Sequence, residues 1–205
     1  MTANGQAAGT GAAPFPLIIL IGPPGAGKTT VGSLLAGQLG VGFTDTDAVI
    51  EAAAGKPVSD IFISDGEPEF RRLEREAVAA ALAGGGATQN GPGTPVTGVL
   101  GLGGGAVMDQ QTQARLAGRA VVYLETGFAE LAKRVGLDQA RPLLIGTNPR
   151  AQLKSLLDQR LPVYDRLAWL TVSTNGREPE AIAAQIAAVV AGGGRPGTGV
   201  PGDGR

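Results

Sequence analysis

Apolar positions along this chain recur in two periods. Residues 17–21 (Leu-Ile-Ile-Leu-Ile) form an aliphatic run ending in a glycine turn, apolar on both faces as a central parallel strand is. After the turn, residues 28–39 carry Val31, Leu34, Leu35 and Leu39 at helical spacing and close at Gly40, where a helix-ending glycine is expected. Residues 41–46 extend as a second strand, 48–54 read as a short helix ending near Gly55, and 59–63 as another short turn. Pro68 suits a first helical position, and Phe70, Leu73, Ala77, Val78 and Ala81 mark the buried stripe of a helix reaching Leu82. Residues 96–102 and 120–124 are two further buried strands. Helices are expected at about 109–116, 128–135 and 150–168, then a strand at 170–173 and an Ala/Ile/Val-striped helix over 178–191.

Strands alternating with helices over about 175 residues argue for a right-handed βαβ series. The fold class is α/β: three α/β/α layers around a central, about five-stranded parallel sheet. A length of 205 residues fits one domain with loose ends. Gly and Pro number 34 and 14, but the 43% hydrophobic fraction is too high for a disordered chain, so the excess is local. It falls in residues 1–14 and 192–205, read as mobile tails, and in 83–95, read as a surface loop; the domain itself is 15–191. No apolar run approaches the ~18 residues that span a bilayer, and the N-terminus lacks a basic start and a continuous apolar stretch, so the protein is expected to be soluble and cytoplasmic.

Charge and inventory narrow the chemistry. Lys+Arg number 17 and Asp+Glu 18, a formal net charge of -1, so no global field gathers nucleic acid. There is no Cys and no His, which removes disulfides, thiolate and imidazole metal sites, and Ser-His hydrolysis. Catalysis is left to carboxylates, Lys, Arg, hydroxyls, backbone amides and oxygen-bound cations.

One motif has a mechanism in its context. Gly22-Pro-Pro-Gly25-Ala26-Gly27-Lys28-Thr29 fits G-x-x-x-x-G-K-[ST] and lies between an aliphatic strand and a helix, followed by Thr30. Glycines let successive amides turn toward an anion, and the helix N-terminus adds its unpaired N–H groups and dipole. Lys28 supplies a point charge to the β- and γ-phosphates, and the Thr29 hydroxyl can ligate Mg²⁺. Nucleoside triphosphate binding follows. The guanine-specific Asn-Lys-x-Asp sequence is absent, and residues 96–102 end in Gly103-Gly104-Gly105 where motor ATPases usually place an acidic residue. A different acidic pair must serve the metal. Asp45 and Asp47 follow the second strand, and residues i and i+2 of extended chain point the same way roughly 6–7 Å apart. One would reach Mg²⁺ through water and the other accept the proton of an attacking hydroxyl; a solvated acidic turn or helix cap is the alternative.

GPPGAGKTT, DTDAVIE, FRRLERE, GLGGGAV, RPLL and QRLPVYDRLA together resemble, in order and spacing, the shikimate kinases. The resemblance covers about residues 17–190, with the 83–95 loop looking longer than in the family. It implies a P-loop fold of the nucleoside-monophosphate-kinase type with a lid at about 136–149, and transfer of the γ-phosphoryl of ATP to the 3-hydroxyl of shikimate, a step toward chorismate and the aromatic amino acids. Within it, Asp47 matches the carboxylate that binds the shikimate hydroxyls and acts as base, and Asp45 the water-mediated Mg²⁺ contact. Arg71 and Arg160 match guanidiniums holding the substrate carboxylate, and Gly103, Gly104 and Gly105 the backbone against its ring, with Gly104 donating to a hydroxyl. Arg141 matches a lid arginine closing on the phosphates; Arg134, Arg177 and Pro179 match the adenine side.

The residues support this independently. A small polyhydroxylated carboxylate needs two-donor cations for its charged end. Arg71 and Glu74 are i, i+3 on a helix, so the glutamate can orient the guanidinium; an ordinary salt-bridged helix surface would look the same. Three glycines in a row remove every side chain where backbone approaches a ring. Gly136, Gly146, Asn148 and Pro149 flank Arg141 in a composition suited to a hinged lid. The rivals are a gluconate- or nucleotide-type kinase on the same fold and a non-enzymatic nucleotide-binding module. A monomer is expected, since no long exposed apolar stripe stands out.

Overall fold

A computed structural model describes residues 17–83, 98–136 and 148–192. The two tails, nearly all of the expected surface loop and most of the expected lid, Arg141 with it, lie outside the described residues. Strands β1 (Ile18–Ile21), β2 (Gly42–Asp45), β3 (Gly98–Gly101), β4 (Ala120–Glu125) and β5 (Leu170–Ser173) form one sheet in the order β2-β3-β1-β4-β5, every pair parallel. Between them run α1 (Lys28–Leu39), α2 (Thr46–Ala54), α3 (Val58–Ser64), α4 (Glu67–Leu82), α5 (Gln110–Leu116), α6 (Phe128–Arg134), α7 (Pro149–Leu167) and α8 (Pro179–Ala191).

The aliphatic run of β1 explains the layering. Ile18 and Leu20 face a core with Val31 and Leu35 of α1 and Ile182 and Ile186 of α8. Ile19 and Ile21 face a second core with Val78 of α4, Leu116 of α5 and Tyr164 of α7. A strand buried on both faces must be apolar at every position, which is what residues 17–21 offer. A third, smaller cluster of Ile50, Ile61 and Phe70 binds α2, α3 and α4 into a subassembly beside the sheet.

Several boundaries move for local reasons. The helix expected from residue 48 begins at Thr46, because Asp45 stops the strand and caps α2, accepting a hydrogen bond from the Asp47 amide at 3.0 Å. Where the pattern predicts a short turn over 59–63, residues 58–64 make a full α-helix whose Ile61 is buried. Asp109 caps α5 through the Thr112 amide at 2.8 Å, and Asn148 caps α7 through Ala151 at 3.1 Å, with Pro149 opening the helix. A 3-10 turn at Ala106–Met108 has no counterpart in the apolar pattern, being too short for a period to show. Residues 96–97 of the expected third strand lie outside the described residues.

The topology places the site. The connection after β1 leads to β2 on one side, and the connection after β3 leads to β4 on the other. The adjacent carboxyl ends of β1 and β3 therefore flank a switch point, where open α/β sheets bind ligands.

Gly32 tests how tightly α1 sits on the sheet, because a methyl group there would run into the Phe43 ring. Gly32→Ala should lower stability by about 1 kcal/mol or more in urea unfolding, against the ~1 kcal/mol that helix propensity alone would add. Adding Phe43→Leu should recover part of the loss.

Candidate active site

The loop between β1 and α1 begins at Gly22, whose φ of 148° and tight placement both require glycine: a Cβ there would lie 2.8 Å from the Leu124 carbonyl. Its β-carbon-free backbone lets the loop wrap the N-terminus of α1, where unpaired amides and the helix dipole favour an anion. Gly25, Ala26, Gly27, Lys28, Thr29 and Thr30 line a cavity of about 600 Å³ together with Asp45, Asp47, Gly104, Arg134, Arg177 and Pro179. The triphosphate-side residues expected from the sequence thus surround one space, Arg141 excepted. Arg134 donates to the Thr174 carbonyl at 3.1 Å and more weakly to Gly25 O at 3.4 Å, tying α6 to the loop. Arg177 donates to Ser173 O at 3.2 Å and to Gln185 at 2.7 Å.

Lys28 turns back on its own loop, donating to the carbonyls of Gly22 at 2.8 Å and Pro23 at 3.0 Å. Burial lowers its pKa from 10.5 to about 8, against the opposing pull of Asp47 and then Asp45. The Thr29 hydroxyl donates to Asp45 Oδ2 at 2.7 Å.

The two aspartates are near one another for a different reason than the sequence spacing suggested. They do not lie on one face of an extended strand: Asp45 is the cap and Asp47 sits in the first turn of α2. Capping fills Asp45 Oδ1, while Asp47 Oδ1 is buried with no hydrogen-bond partner among the described residues. Burial, and then repulsion from Asp45, raises the pKa of Asp47, with Lys28 opposing.

Beyond Asp47 the glycine turn separates several charged groups. At Gly103 a Cβ would lie 2.5 Å from Asp47 Oδ1 and 2.7 Å from Glu74 Oε1; at Gly104 it would lie 2.7 Å from the Pro24 ring; at Gly105 it would enter the Arg71 guanidinium. The Gly103 amide donates to the buried Thr46 hydroxyl at 2.9 Å. Arg160 and Tyr164 of α7 both donate to the Gly104 carbonyl, at 2.9 and 2.7 Å. Arg71 is held by Glu74 at 2.7 Å, as the i, i+3 spacing predicts, and also by Glu67 at 3.1 Å, with the Phe70 ring 5.4 Å from its guanidinium carbon. Glu74 is 3% exposed, its Oε1 has no partner among the described residues, and burial raises its pKa while Arg71 opposes.

Arg71, Gly103, Gly105 and Arg160 therefore gather beside this cavity and meet it at Asp47 and Gly104. Thr46 and Tyr164 were not singled out from sequence, although both sit inside quoted motifs. Tyr164 is four residues after Arg160, which on a helix means the same face; that spacing was the available signal.

A family model described as shikimate kinase matches residues 24–191. The shikimate kinase of Thermobifida fusca is 61% identical over 172 residues, covering 84% of this chain and 93% of the relative. That of Salinispora arenicola is 55% identical over 176 residues, covering 86% and 98%. The solved shikimate kinase from Acinetobacter baumannii in complex with shikimate superposes with a TM-score of 0.74 at 35% identity, over 87% of this chain and 94% of that one.

The Lys28 shift carries a sign that calorimetry can read. A bound triphosphate favours the protonated amine, so binding of a non-hydrolysable ATP analogue should take up protons near pH 8 and weaken as pH rises above it. Titrations in buffers of different ionisation enthalpy check this. The ligand-free protein should behave oppositely: between about pH 8 and 10.5 the unfolded chain holds more protons at Lys28, so this group's contribution to stability rises with pH. Absence of proton uptake would remove Lys28 from phosphate contact.

Proposed function

The chain belongs to the shikimate kinase family, and from that membership we propose how its own residues perform the transfer. It is an ATP-dependent kinase that phosphorylates a hydroxyl of shikimate. Gluconate- or nucleotide-type kinases and a non-enzymatic module find no support beside that membership.

The observation that carries the residue assignment is Asp47: one carboxylate lines the phosphate cavity and reaches the glycine turn, with a buried oxygen left unpaired. An unpaired buried acceptor is unfavourable until a donor arrives. The 3-hydroxyl of shikimate is that donor in our reading. Asp47 orients it and accepts its proton as its oxygen attacks the terminal phosphorus, the bond from that phosphorus to the β,γ-bridging oxygen breaks and ADP leaves, and the raised pKa brings the carboxylate closer to a base suited to neutral pH. Loop amides, Lys28 and Thr30 hold the triphosphate, with Arg134, Arg177 and Pro179 at the nucleoside end. Arg141 closing over the phosphates is part of the proposal on its sequence alone.

The acceptor's carboxylate goes to Arg71 and Arg160. Arg160 makes no ion pair among the described residues and has guanidinium donors beyond the one given to Gly104. Arg71 is pre-oriented by Glu74 and Glu67 and lies against Gly105 of the same turn.

Mg²⁺ fits the donors at the phosphate end. Thr29 and Asp45 offer a hydroxyl and a carboxylate, both hard oxygen ligands, 2.7 Å apart. Among the described residues no group of three or more His, Cys, Asp or Glu could hold an ion, which suits a cation taking most of its ligands from phosphates and water. Bound there, it would neutralise charge on the transferring group. No described helix is long and apolar enough to cross a membrane. We place the protein in the cytoplasm as a monomer acting on small molecules, a reading supported by the near-neutral net charge of -1 and by exposed apolar residues scattered over α3, Met108 and Val135.

A coupled assay of the purified chain with ATP and shikimate should show turnover. Asp47→Asn should lower kcat by about 100-fold or more, since base and hydroxyl orientation go together; near-normal turnover would overturn its role. Arg71→Ala and Arg160→Ala should each raise the shikimate KM about ten-fold or more, with the ATP KM little changed. An unchanged acceptor KM in both would take them out of the acceptor site.

A further inference from the structure

The Gly104 carbonyl has two acceptor positions, and both are filled from one helix. Arg160 donates at 2.9 Å and Tyr164 at 2.7 Å, from positions four apart on α7. Tyr164 is fully buried and its ring stacks on Tyr123, centroids 5.1 Å apart and planes 19° apart, so the hydroxyl has little freedom to turn elsewhere. Burial pushes its pKa up to about 12, so it stays a donor throughout the working range of pH.

A trans peptide is planar, so holding a carbonyl also aims the next amide the opposite way. The backbone here contains no cis bond, and the Gly105 N–H therefore points away from α7. The Gly103 amide is already consumed by Thr46, whereas the Gly104 and Gly105 amides carry no hydrogen bond to another described residue. Glycine has no side chain to resist rotation of its peptide planes, so without the clamp the Gly104–Gly105 peptide could reorient the Gly105 amide at little energetic cost.

We propose that Tyr164 is a positioning residue for the acceptor: with Arg160 it clamps the Gly104 carbonyl so that the Gly105 amide of the glycine turn stays aimed at the acceptor's hydroxyls. The inference rests on the reading above, in which the acceptor lies against this turn. It makes α7 responsible for both ends of the acceptor, its carboxylate through Arg160 and its hydroxyls through the peptide that Tyr164 holds. A single helix sets the distance between the two recognition points.

The test pairs two neighbouring tyrosines in the full chain. Tyr164→Phe keeps the ring and its stacking and removes the donor; Tyr123→Phe removes a hydroxyl that is buried without a partner among the described residues. Tyr164→Phe should raise the shikimate KM about five-fold, the effect of one neutral hydrogen bond, while kcat and the ATP KM stay within about two-fold. Tyr123→Phe should leave all three unchanged and the protein no less stable. If Tyr164→Phe does not fold, 4-aminophenylalanine introduced at position 164 supplies a donor in the same place, and a near-normal shikimate KM there supports the clamp. A normal acceptor KM in Tyr164→Phe, an equal rise in Tyr123→Phe, or a failure of the amine to restore affinity overturns it. With Asp47→Asn and Arg71→Ala in the same series, impairment of those two beside a normal Tyr164→Phe removes this inference alone, whereas normal behaviour of Asp47→Asn removes the reading on which it rests.

Discussion

A methyl group at Gly103 would lie 2.5 Å from one buried carboxylate oxygen and 2.7 Å from another, and at Gly105 it would occupy the place of a guanidinium. That steric constraint organises the rest of the site. Asp47, Glu74 and Arg71 can converge on the end of β3 only because nothing but backbone stands between them. The same turn leaves the Gly104 and Gly105 amides without a hydrogen bond to another described residue. Since backbone alone cannot hold its own orientation there, the turn is pinned from outside: Thr46 at Gly103, Pro24 against Gly104, Arg160 and Tyr164 on the Gly104 carbonyl.

Burial dominates the electrostatics of this site. Two carboxylates keep buried oxygens without partners among the described residues, and burial raises the pKa of each. Lys28, meanwhile, is shifted down to about 8 and contents itself with loop carbonyls. Of these groups, Glu74 alone has an ion pair among the described residues, with Arg71 at 2.7 Å. Charged or polar groups desolvated before the ligand arrives need little reorganisation when it does, which is how a preorganised site stabilises developing charge.

Architecture divides the labour among helices. α1 opens at the glycine-rich loop, α6 is tied to that loop through Arg134, α2 and α4 carry Asp47, Glu74 and Arg71, and α7 runs from Pro149 to Leu167 and reaches the glycine turn through Arg160. The small core of Ile50, Ile61 and Phe70 makes the α2–α4 group a unit of its own against the sheet.

Strands, helices and the sheet's parallel character were readable from the chain because each leaves a period: continuous apolar runs where both faces are buried, a 3.6-residue stripe where one is. The phosphate loop was readable because its chemistry is local, needing only neighbours in sequence. The boundaries that shifted were decided by single capping side chains, such as Asp45, whose choice between strand and helix no period records. The pairing of Asp45 with Asp47 shows the same limit, since both line one cavity through a helix cap and not through the extended geometry that their spacing suggests. Residues 103–105, 71, 160 and 164 are far apart in the chain, and what each does depends on which carbonyl or carboxylate faces it across the end of β3. Composition and spacing determined which groups were present and on which faces. Only the packing of α7 and α4 against the sheet decided that one tyrosine hydroxyl meets the Gly104 carbonyl and one glutamate stays buried behind an arginine, because hydrogen bonds between distant segments are set by tertiary distance and leave no pattern in sequence.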